Sequence, residues 1–387
     1  MSNKIMAYRR PNGKIGIRND VAIISAMDNS NPSANRIASL VKGTIPITTP
    51  FGRGQIGHDL KSTQDALAGL GNHPNVAAVL LLSLSLETAE PIRKSLEASG
   101  KPVVTMGLQE TGGTLDLTIA GAKAAAKMVL DASELMREPC DMSELVIGVE
   151  CGGSDATSGL ASNPATGKFS DKLIAAGGTI ILSEPAEFMG AEHLLAARAV
   201  RKEDGDRIVE MVKYFEDIAI DNGVDMRGTN PTLDNIAGGL TTLEEKSLGA
   251  IAKGGTTPIQ GIVEYGVHPE NYQGLVVMNT PSAACESMTG LAAGGCHIII
   301  FSTGAGNSIG ATPICPTIKI TGNPRTMNNM GENIDVNVST IITENETIES
   351  AGERLWSHVE KIANGKKTCA EVLGEDQLSV SRWGLSV

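Results

Sequence analysis

Uninterrupted apolar runs alternate with mixed apolar and polar stretches from the start of the chain. In its first part the predicted elements are strands at 21–25, 76–84 and 102–106 and helices at 32–42, 88–99 and 116–132. Strands that are apolar along their whole length and separated by helices are typical of a parallel sheet covered on both faces. The pattern therefore predicts an α/β domain.

The same alternation returns after a polar stretch at 138–144. The elements predicted there are strands at 145–149, 179–183, 274–278, 296–303 and 317–320, helices at 190–199, 202–222 and 343–363, and a long loop at 223–256. The predicted fold is thus α/β with two Rossmann-like parallel-sheet domains, the second an unusual doubly wound variant. The predicted domains are residues 1–140 and residues 141–387.

Composition and charge exclude several classes of protein. The formal net charge is -12, and no Lys/Arg cluster is present, so neither nucleic acid nor a membrane is an expected partner. No apolar stretch approaches the ~20 residues of a membrane span, and the N-terminus lacks the apolar core of a secretion signal, which predicts a cytoplasmic protein. The 6 cysteines contain no CxxC pair, and neither GxGxxG nor GxxxxGK[ST] occurs.

Three polar, glycine-containing loops follow predicted strands: 150–159, 183–193 and 301–310. Ligands of parallel sheets bind at the carboxyl ends of strands, so we expect these loops to meet at one pocket.

Each loop has a functional and a purely structural interpretation. Candidate substrate-binding residues are Gly152, Gly153, Ser154, Asn163, Gly304 and Gly306. The same residues could form only a capped strand-to-helix turn and a close packing contact. Cys151 could be a metal ligand, a nucleophile or a small buried apolar residue. Glu184, Glu192 and His193 could hold a metal or a substrate, or be solvated acids of a first helical turn.

Two further candidates lie near the N-terminus. Arg18, in YRRPNGKIGIRND, has a guanidinium suited to a substrate carboxylate, whereas Arg9 and Arg10 are expected in a basic hairpin. His58 lies in a loop with several glycines and could exchange protons with a substrate.

Taken in order, the motifs resemble the altronate/galactarate dehydratase family. The matching stretches are YRRPNGKIGIRN, HPNVAAVLLL, ECGGSDATSGLASNP, FSDKLIAAGGTIILSE, GAEHLL, TTLEEKSLGAIAKGG, FSTGAGN, PTIKITGNP and ANGKKTC. The resemblance implies that a base removes the proton α to a carboxylate, that a metal, usually iron, stabilises the enolate, and that a β-substituent leaves. It places metal ligation on Cys151, Asp155, Glu184 and Glu192. The base is left open, since His193, Lys319 and His58 are each chemically able to remove the proton.

The chain departs from this family at several positions. AMDNSN, FGRGQ and SLSLE replace cysteine-containing motifs, at about Asp28 or Asn29, Arg53 and Leu86, and Ala305 replaces an arginine. These losses argue against a cysteine-ligated iron–sulfur cluster and favour either a single divalent ion held by oxygen and nitrogen ligands, Fe²⁺ by resemblance, or no metal.

By this resemblance we expect the chain to lack the small β-clip domain that precedes single-chain members of the family. The chain is therefore similar to the large subunit of two-subunit members, with a small β-clip (SAF-type) subunit as partner and a homodimer formed through residues 1–140. The expected reaction is elimination from a small 2-hydroxy acid, with (2R)-3-sulfolactate giving pyruvate and sulfite as the best guess. The alternatives are a two-subunit sugar-acid dehydratase and a non-catalytic subunit that binds an acidic metabolite.

Overall fold

The chain forms two parallel β-sheets and a small antiparallel sheet, all packed against helices. The computed structural model describes residues 4–226, 230–311 and 314–387. The strands are β1 (Lys4–Arg9), β2 (Ile15–Gly16), β3 (Asp20–Ser25), β4 (Thr44–Ile47), β5 (Val76–Ser83), β6 (Val103–Gly107), β7 (Glu138–Asp141), β8 (Val146–Cys151), β9 (Thr179–Leu182), β10 (Ile259–Val263), β11 (Gly274–Met278), β12 (Ile298–Ser302), β13 (Thr317–Thr321) and β14 (Val336–Asn337).

Helices make up much of the rest of the described chain. They are α1 (Asn31–Leu40), α2 (Gly57–Asn72), α3 (Leu86–Glu97), α4 (Leu108–Thr111), α5 (Thr114–Ser133), α6 (Asn163–Ala175), α7 (Glu192–Ala196), α8 (Lys202–Asp221), α9 (Leu233–Ala237), α10 (Leu243–Ile251), α11 (Ala284–Ala293), α12 (Pro324–Met330), α13 (Thr340–Thr343), α14 (Ile348–Ala363) and α15 (Cys369–Leu373). Within the described residues, no helix has the length and apolar character needed to cross a membrane.

The first sheet has the strand order β4-β3-β5-β6, and every neighbouring pair is parallel. All 8 residues of β5 are buried, because both faces of the sheet are covered. Ile23 faces α1 and α5, whereas Ile24 faces α2 and α3. The predicted parallel sheet with helices on both faces is therefore confirmed.

The second sheet contains seven parallel strands in the order β10-β11-β9-β8-β12-β13-β14. The chain starts at the central β8, runs to β9, continues to the edge strand β10 and returns to β11 between them. It then crosses to β12 on the other side of β8, which makes the sheet doubly wound as predicted. Phe169 of α6 and Trp356 of α14 pack on one face. The other face packs on α11, which meets α2 so closely that a Cβ on Gly69 would lie 2.5 Å from the Ala293 carbonyl oxygen.

The apolar pattern did not predict the antiparallel sheet, which has the strand order β2-β1-β7. Strands β1 and β2 form the expected basic hairpin, and β7 pairs with the other edge of β1. Arg9 forms ion pairs with Glu138 and Glu144 across this sheet. The apolar side chains of β1 join the core beneath the second sheet, so the N-terminus and residues 138–141 are held together.

The long loop predicted over 223–256 is wrong in part, because α9 and α10 lie within it. The hydroxyl groups of Thr232 and Thr242 cap these helices by accepting hydrogen bonds from the amides of Asn235 and Glu245. The polar residues that suggested a loop therefore supply helix caps. The helix predicted at 190–199 is also shorter than expected, since α7 has only 5 residues.

His297, buried at the amino end of β12, and the partly buried His268 make stability depend on pH. His297 Nδ1 accepts from the Val146 amide at 2.9 Å, and its Nε2 donates to the Ile15 carbonyl at 2.7 Å. Burial lowers the pKa values of His297 and His268 from 6.5 to about 4. The unfolded chain therefore takes up these protons first, and stability should fall as the pH drops from about 6.5 towards 4.

Each pKa unit corresponds to about 1.4 kcal/mol, so His297 should contribute up to about 3 kcal/mol to this loss. Urea unfolding at a series of pH values measures it. His297→Asn should reduce the pH dependence between pH 6.5 and 4, whereas Leu160→Ala, at an exposed position, should retain the full dependence. An unchanged slope in the His297 variant would show that the histidine is charged in the folded protein.

Candidate active site

The three predicted loops lie together at the carboxyl edge of the second sheet. They follow β8, β9 and β12, which are neighbours. The Gly152 amide donates to the Ser302 carbonyl at 3.1 Å, and the Cys151 amide donates to Glu184 Oε2 at 3.1 Å. The doubly wound sheet changes direction between β8 and β12. The three loops predicted to meet at one pocket therefore do lie together at this point.

The glycines of these loops are required by close packing. A Cβ on Gly152 would lie 2.9 Å from the Phe301 ring, and one on Gly304 would lie 2.1 Å from the Asp155 carboxyl carbon. Gly153 has a φ of 66°, and Gly306 has a φ of 94°. The structure therefore explains all four glycines through geometry, and their predicted contact with a substrate stays a prediction.

Asp155 anchors its own loop through both carboxylate oxygens. Its Oδ1 accepts from the Thr157 amide and hydroxyl at 2.8 and 2.6 Å and from the Ser158 amide at 3.1 Å. Its Oδ2 accepts from Asn323 Nδ2 at 2.7 Å, which connects the loop to the end of β13. The carboxylate therefore holds the turn that leads into α6.

The chain enters α6 through an unusual turn. Ser158–Ser162 forms a π-helical turn, a feature often found at functional sites. Asn163 Nδ2 donates to the Gly249 carbonyl at 2.9 Å, while its Oδ1 is buried without a partner. Ser154 is buried nearby, and its carbonyl accepts from Asn235. Asn163 thus keeps a free acceptor beside the loop.

Gly304→Ala should destabilise the protein by about 1–3 kcal/mol, because the new methyl group must displace the Asp155 carboxylate from its hydrogen bonds. Gly159→Ala is the matched control, since its nearest atom would be at 3.6 Å, an ordinary contact. Urea unfolding compares the two variants. Equal stabilities would show that the loop tolerates a shift of Asp155.

A buried ion pair lies directly beneath the first two loops. Lys253 Nζ lies 2.9 Å from Glu184 Oε2 and 3.0 Å from Cys151 Sγ. The side chains of Lys253 and Glu184 are both 0% exposed. Burial lowers the pKa of Lys253, but its contacts with Cys151 and Glu184 and the nearby Glu150 raise it by more, so that the ammonium form persists. Burial raises the pKa of the Cys151 thiol to about 12.

A second carboxyl group extends this ion pair. Glu150 Oε2 accepts from the Ser183 hydroxyl at 2.8 Å and from the Ser287 hydroxyl at 2.7 Å. Burial and the neighbouring charge of Glu184 raise the pKa of Glu150 well above its usual range. A protonated Glu150 can donate to Glu184, whose Oε1 is otherwise buried without a partner. The two carboxyl groups are therefore arranged to share one proton.

Glu184 also has an unusual backbone conformation. Its φ and ψ are 65° and 61°, in the left-handed region that a glutamate rarely adopts. Its amide donates to Thr280 Oγ1 at 2.9 Å, and this hydroxyl lies 3.2 Å from that of Ser287. A strained, buried and charged residue at a strand end is typical of a functional site.

A cavity of about 460 Å³ opens beside this network, near the carboxyl ends of β10 and β11. Its lining residues are His58, Ser62, Arg207, Glu210, Met211, Tyr214, Phe215, Glu264, Tyr265, Asn279, Thr280, Pro281, Ser381 and Trp383. Thr280 connects the cavity to Glu184. His58, in the first turn of α2, brings the first domain to the same cavity.

The other predicted residues lie elsewhere. His193 is exposed on α7, where Glu192 Oε2 accepts from the Gly190 amide at 2.6 Å. Lys319 is buried in an ion pair with Glu375. Arg18 forms an ion pair with Glu371 at 2.8 Å, and its remaining hydrogen bonds go to backbone carbonyls outside the three loops. The structure therefore brings Cys151 and Glu184 together, whereas His193, Lys319 and Arg18 lie away from them.

The residues predicted to ligate a metal do not form a ligand set. Within residues 4–226, 230–311 and 314–387, no three His, Cys, Asp or Glu side chains are grouped to hold a metal ion. The ammonium of Lys253 contacts both Cys151 and Glu184, and Asp155 is engaged in its own turn. The donor set therefore does not fit a metal held by Cys151, Asp155, Glu184 and Glu192.

The positions of the replaced cysteines lie in the first domain. Asp28, Arg53 and Leu86 follow β3, β4 and β5, which are neighbours in the first sheet, and all three are exposed. They occupy the carboxyl edge of that sheet, where side chains of three adjacent strands come close. In this chain the edge carries no thiol at these positions.

Sequence reasoning missed Lys253, Glu150 and Ser287. Glu150 directly follows the apolar run of a predicted strand, and Lys253 lies in AIAKGG, a stretch that matches the family motif but contains no other candidate site residue. A lysine within an apolar segment was the available indication, since lysine is almost never fully buried unless it is paired.

Comparison with known proteins gives matches along nearly the whole chain. Residues 142–386 match the family described as D-galactarate/Altronate dehydratase, C-terminal, and residues 7–133 match D-galactarate dehydratase/Altronate hydrolase, second domain. The chain is 40% identical to the (2R)-sulfolactate sulfo-lyase subunit beta of Chromohalobacter salexigens, over 97% of both chains. It is 31% identical to the altronate dehydratase of Escherichia coli and 30% identical to that of Bacillus subtilis. These alignments cover 99% and 98% of this chain, and 79% and 78% of the relatives.

Proposed function

The chain belongs to the D-galactarate/altronate dehydratase family, and we propose that it is the large, catalytic subunit of a lyase that releases sulfite from (2R)-3-sulfolactate. The observation that carries this choice is the 40% identity, over 97% of both chains, to a sulfolactate sulfo-lyase subunit. The relatives are lyases of two kinds, sulfo-lyases and dehydratases, so the chain is an enzyme of the lyase class.

The proposed reaction breaks one C–H and one C–S bond. A base removes the proton from C2 of sulfolactate, and the electron pair of the C3–S bond leaves with sulfite. The resulting enol of pyruvate takes up a proton at C3 and loses its hydroxyl proton to give pyruvate. Sulfite is a much better leaving group than hydroxide, so the leaving group itself needs less stabilisation than in a dehydration.

The catalytic base is proposed among three residues. His58 is favoured by geometry, because it lines the cavity that reaches Glu184 through Thr280. His193 is exposed on α7, and Lys319 is held by Glu375, so each would need the complete assembly to meet the substrate. The proposed substrate contacts are the loop residues Gly152, Gly153, Ser154, Asn163, Gly304 and Gly306.

His58→Ala should lower kcat by about 10²-fold or more if His58 is the base, because general-base catalysis contributes about 10²–10⁴-fold. Ser62→Ala is the matched control, since Ser62 lines the same cavity and its hydroxyl lies 3.4 Å from His58 Nδ1. Steady-state rates of pyruvate formation measure both variants. A normal kcat for His58→Ala would assign the base to His193 or Lys319.

A divalent metal, Fe²⁺ by resemblance, remains part of the proposal as a prediction from the family. The groups of this chain that contribute charge near the loops are Lys253, Glu184 and Glu150. They hold a proton and an ammonium in fixed positions beneath the substrate loops.

The assembly is also proposed. The sulfo-lyase relative is a subunit by name, so that protein has a partner. For this chain we propose a small β-clip (SAF-type) partner and a homodimer formed through residues 1–140. An apolar stripe on α5 supports the dimer, because Leu115, Ile119 and Leu130 lie on one face and are 75%, 56% and 68% exposed.

The test is reconstitution with the small subunit and with Fe²⁺ or Mg²⁺. The complex should release sulfite and pyruvate from (2R)-3-sulfolactate, at a rate far above that of either subunit alone. Turnover of altronate or galactarate without sulfite release would instead assign a two-subunit sugar-acid dehydratase. Calorimetric binding of the hydroxy acid without any turnover would assign a non-catalytic subunit.

A further inference from the structure

Cys151 and Glu184 form a buried polar contact at the carboxyl edge of the second sheet. The Cys151 amide donates to Glu184 Oε2, and the thiol and this carboxylate share a single neighbour, the ammonium of Lys253. A sulfur and a carboxylate oxygen around one position are the donor types that bind a transition-metal ion. In this chain that position is taken by a side chain.

We infer that Lys253 is the resident cation of this site: its ammonium occupies the position between Cys151 and Glu184 that a metal ion would otherwise take. It is a positioning residue, which fixes the ends of β8 and β9 relative to each other. Any metal that the enzyme uses must therefore bind through other ligands.

The backbone around Lys253 is built to hold it in place. The residue lies in the short turn Ala252–Gly254, and Ser170 of α6 donates to its carbonyl at 2.8 Å. A Cβ on Gly167 would lie 2.2 Å from the Ala252 carbonyl oxygen, so α6 and this turn are in direct contact. The lysine is therefore supported by a rigid turn and is not a flexible surface residue that happens to reach inward.

The charges around the ammonium are balanced without a metal. Glu184 carries one negative charge. A protonated Glu150 can donate to the free oxygen of Glu184, while Glu150 Oε2 accepts hydrogen bonds from the hydroxyl groups of Ser183 and Ser287. A divalent ion added beside Lys253 would be repelled by a fixed positive charge within a site that excludes water. The site is thus complete with lysine as its cation.

The test uses Co²⁺, whose bond to a thiolate gives an intense absorption band that is independent of turnover. The metal-free full-length protein and its Cys151→Ser variant should give the same spectrum on titration, because Cys151 does not bind the ion. Lys253→Ala should gain a band that disappears in Lys253→Ala/Cys151→Ser, whereas Lys253→Arg should gain none.

A Cys151-dependent band in the wild-type protein would overturn the inference, and this comparison does not depend on whether the lysine variants fold. A folded Lys253→Ala protein that lacks the band would also overturn it, because the vacated position would then be unable to hold a cation. Neither result depends on sulfite release, so failure here is distinguishable from failure of the proposed reaction.

Discussion

Lys253→Met should lower the free energy of unfolding by about 3–5 kcal/mol, the cost of leaving a buried charge without its partner. The variant keeps the length of the side chain but leaves Glu184 beneath the loops with no ammonium at 2.9 Å. Urea unfolding followed by circular dichroism measures the change. The double variant Lys253→Met/Glu184→Gln should recover much of the loss, because both charges are then removed together.

Lys213→Met is the matched control for this experiment. Lys213 also forms an ion pair, with Asp217 at 2.7 Å, but their side chains are 66% and 51% exposed. Exposed pairs contribute roughly 0–1 kcal/mol, so this variant should unfold almost like the wild type. If Lys253→Met is no less stable than Lys213→Met, Glu184 is neutral in the folded protein and the assignment of the ion pair is wrong.

Glu184→Gln should lower kcat by about 10²–10³-fold while KM changes little. The substitution keeps the shape of the side chain but removes the charge that holds Lys253 and the proton of Glu150 beneath the loops. Preorganised charges of this kind contribute such factors when they are removed singly. Initial rates over a range of substrate concentrations separate kcat from KM.

Glu187→Gln is the control for Glu184→Gln. Glu187 lies in the same loop and pairs with Lys246 at 3.0 Å, but it does not contact Lys253. Its substitution should leave kcat within a few-fold of the wild-type value. Equal losses in the two variants would mean that the loop needs negative charge in general and that Glu184 has no particular role.

The apolar pattern predicted the two parallel sheets because their strands are buried on both faces and therefore apolar throughout. The strand β5, with 8 buried residues, is the clearest example. Strands β1 and β7 escaped prediction because β1 alternates exposed and buried residues without an apolar run, and β7 is a short edge strand with exposed residues. Only their pairing identifies them as strands. A one-dimensional pattern carries little information about such distant pairing.

The position of the site was predictable, but its chemistry was only partly so. Loops after adjacent parallel strands must meet, so Cys151 and Glu184 were expected to lie together. Lys253 comes from a turn about 100 residues further along the chain, and its burial depends on the approach of α6. Similarly, the sequence predicts Asp155 as a metal ligand. Its role as the anchor of its own turn could not be predicted, because the hydrogen bonds that define it are visible only in three dimensions.

The most direct test of the central claim is the rate of sulfite release from (2R)-3-sulfolactate by the reconstituted complex. The rate is compared between complexes that contain the wild-type chain and the Glu184→Gln variant, after each chain has been shown to be folded and bound to the partner. The wild-type complex should form sulfite and pyruvate in a one-to-one ratio, and the variant should do so at least about 10²-fold more slowly. A wild-type complex that converts altronate or galactarate but releases no sulfite, or a variant that matches the wild-type rate, would contradict the account.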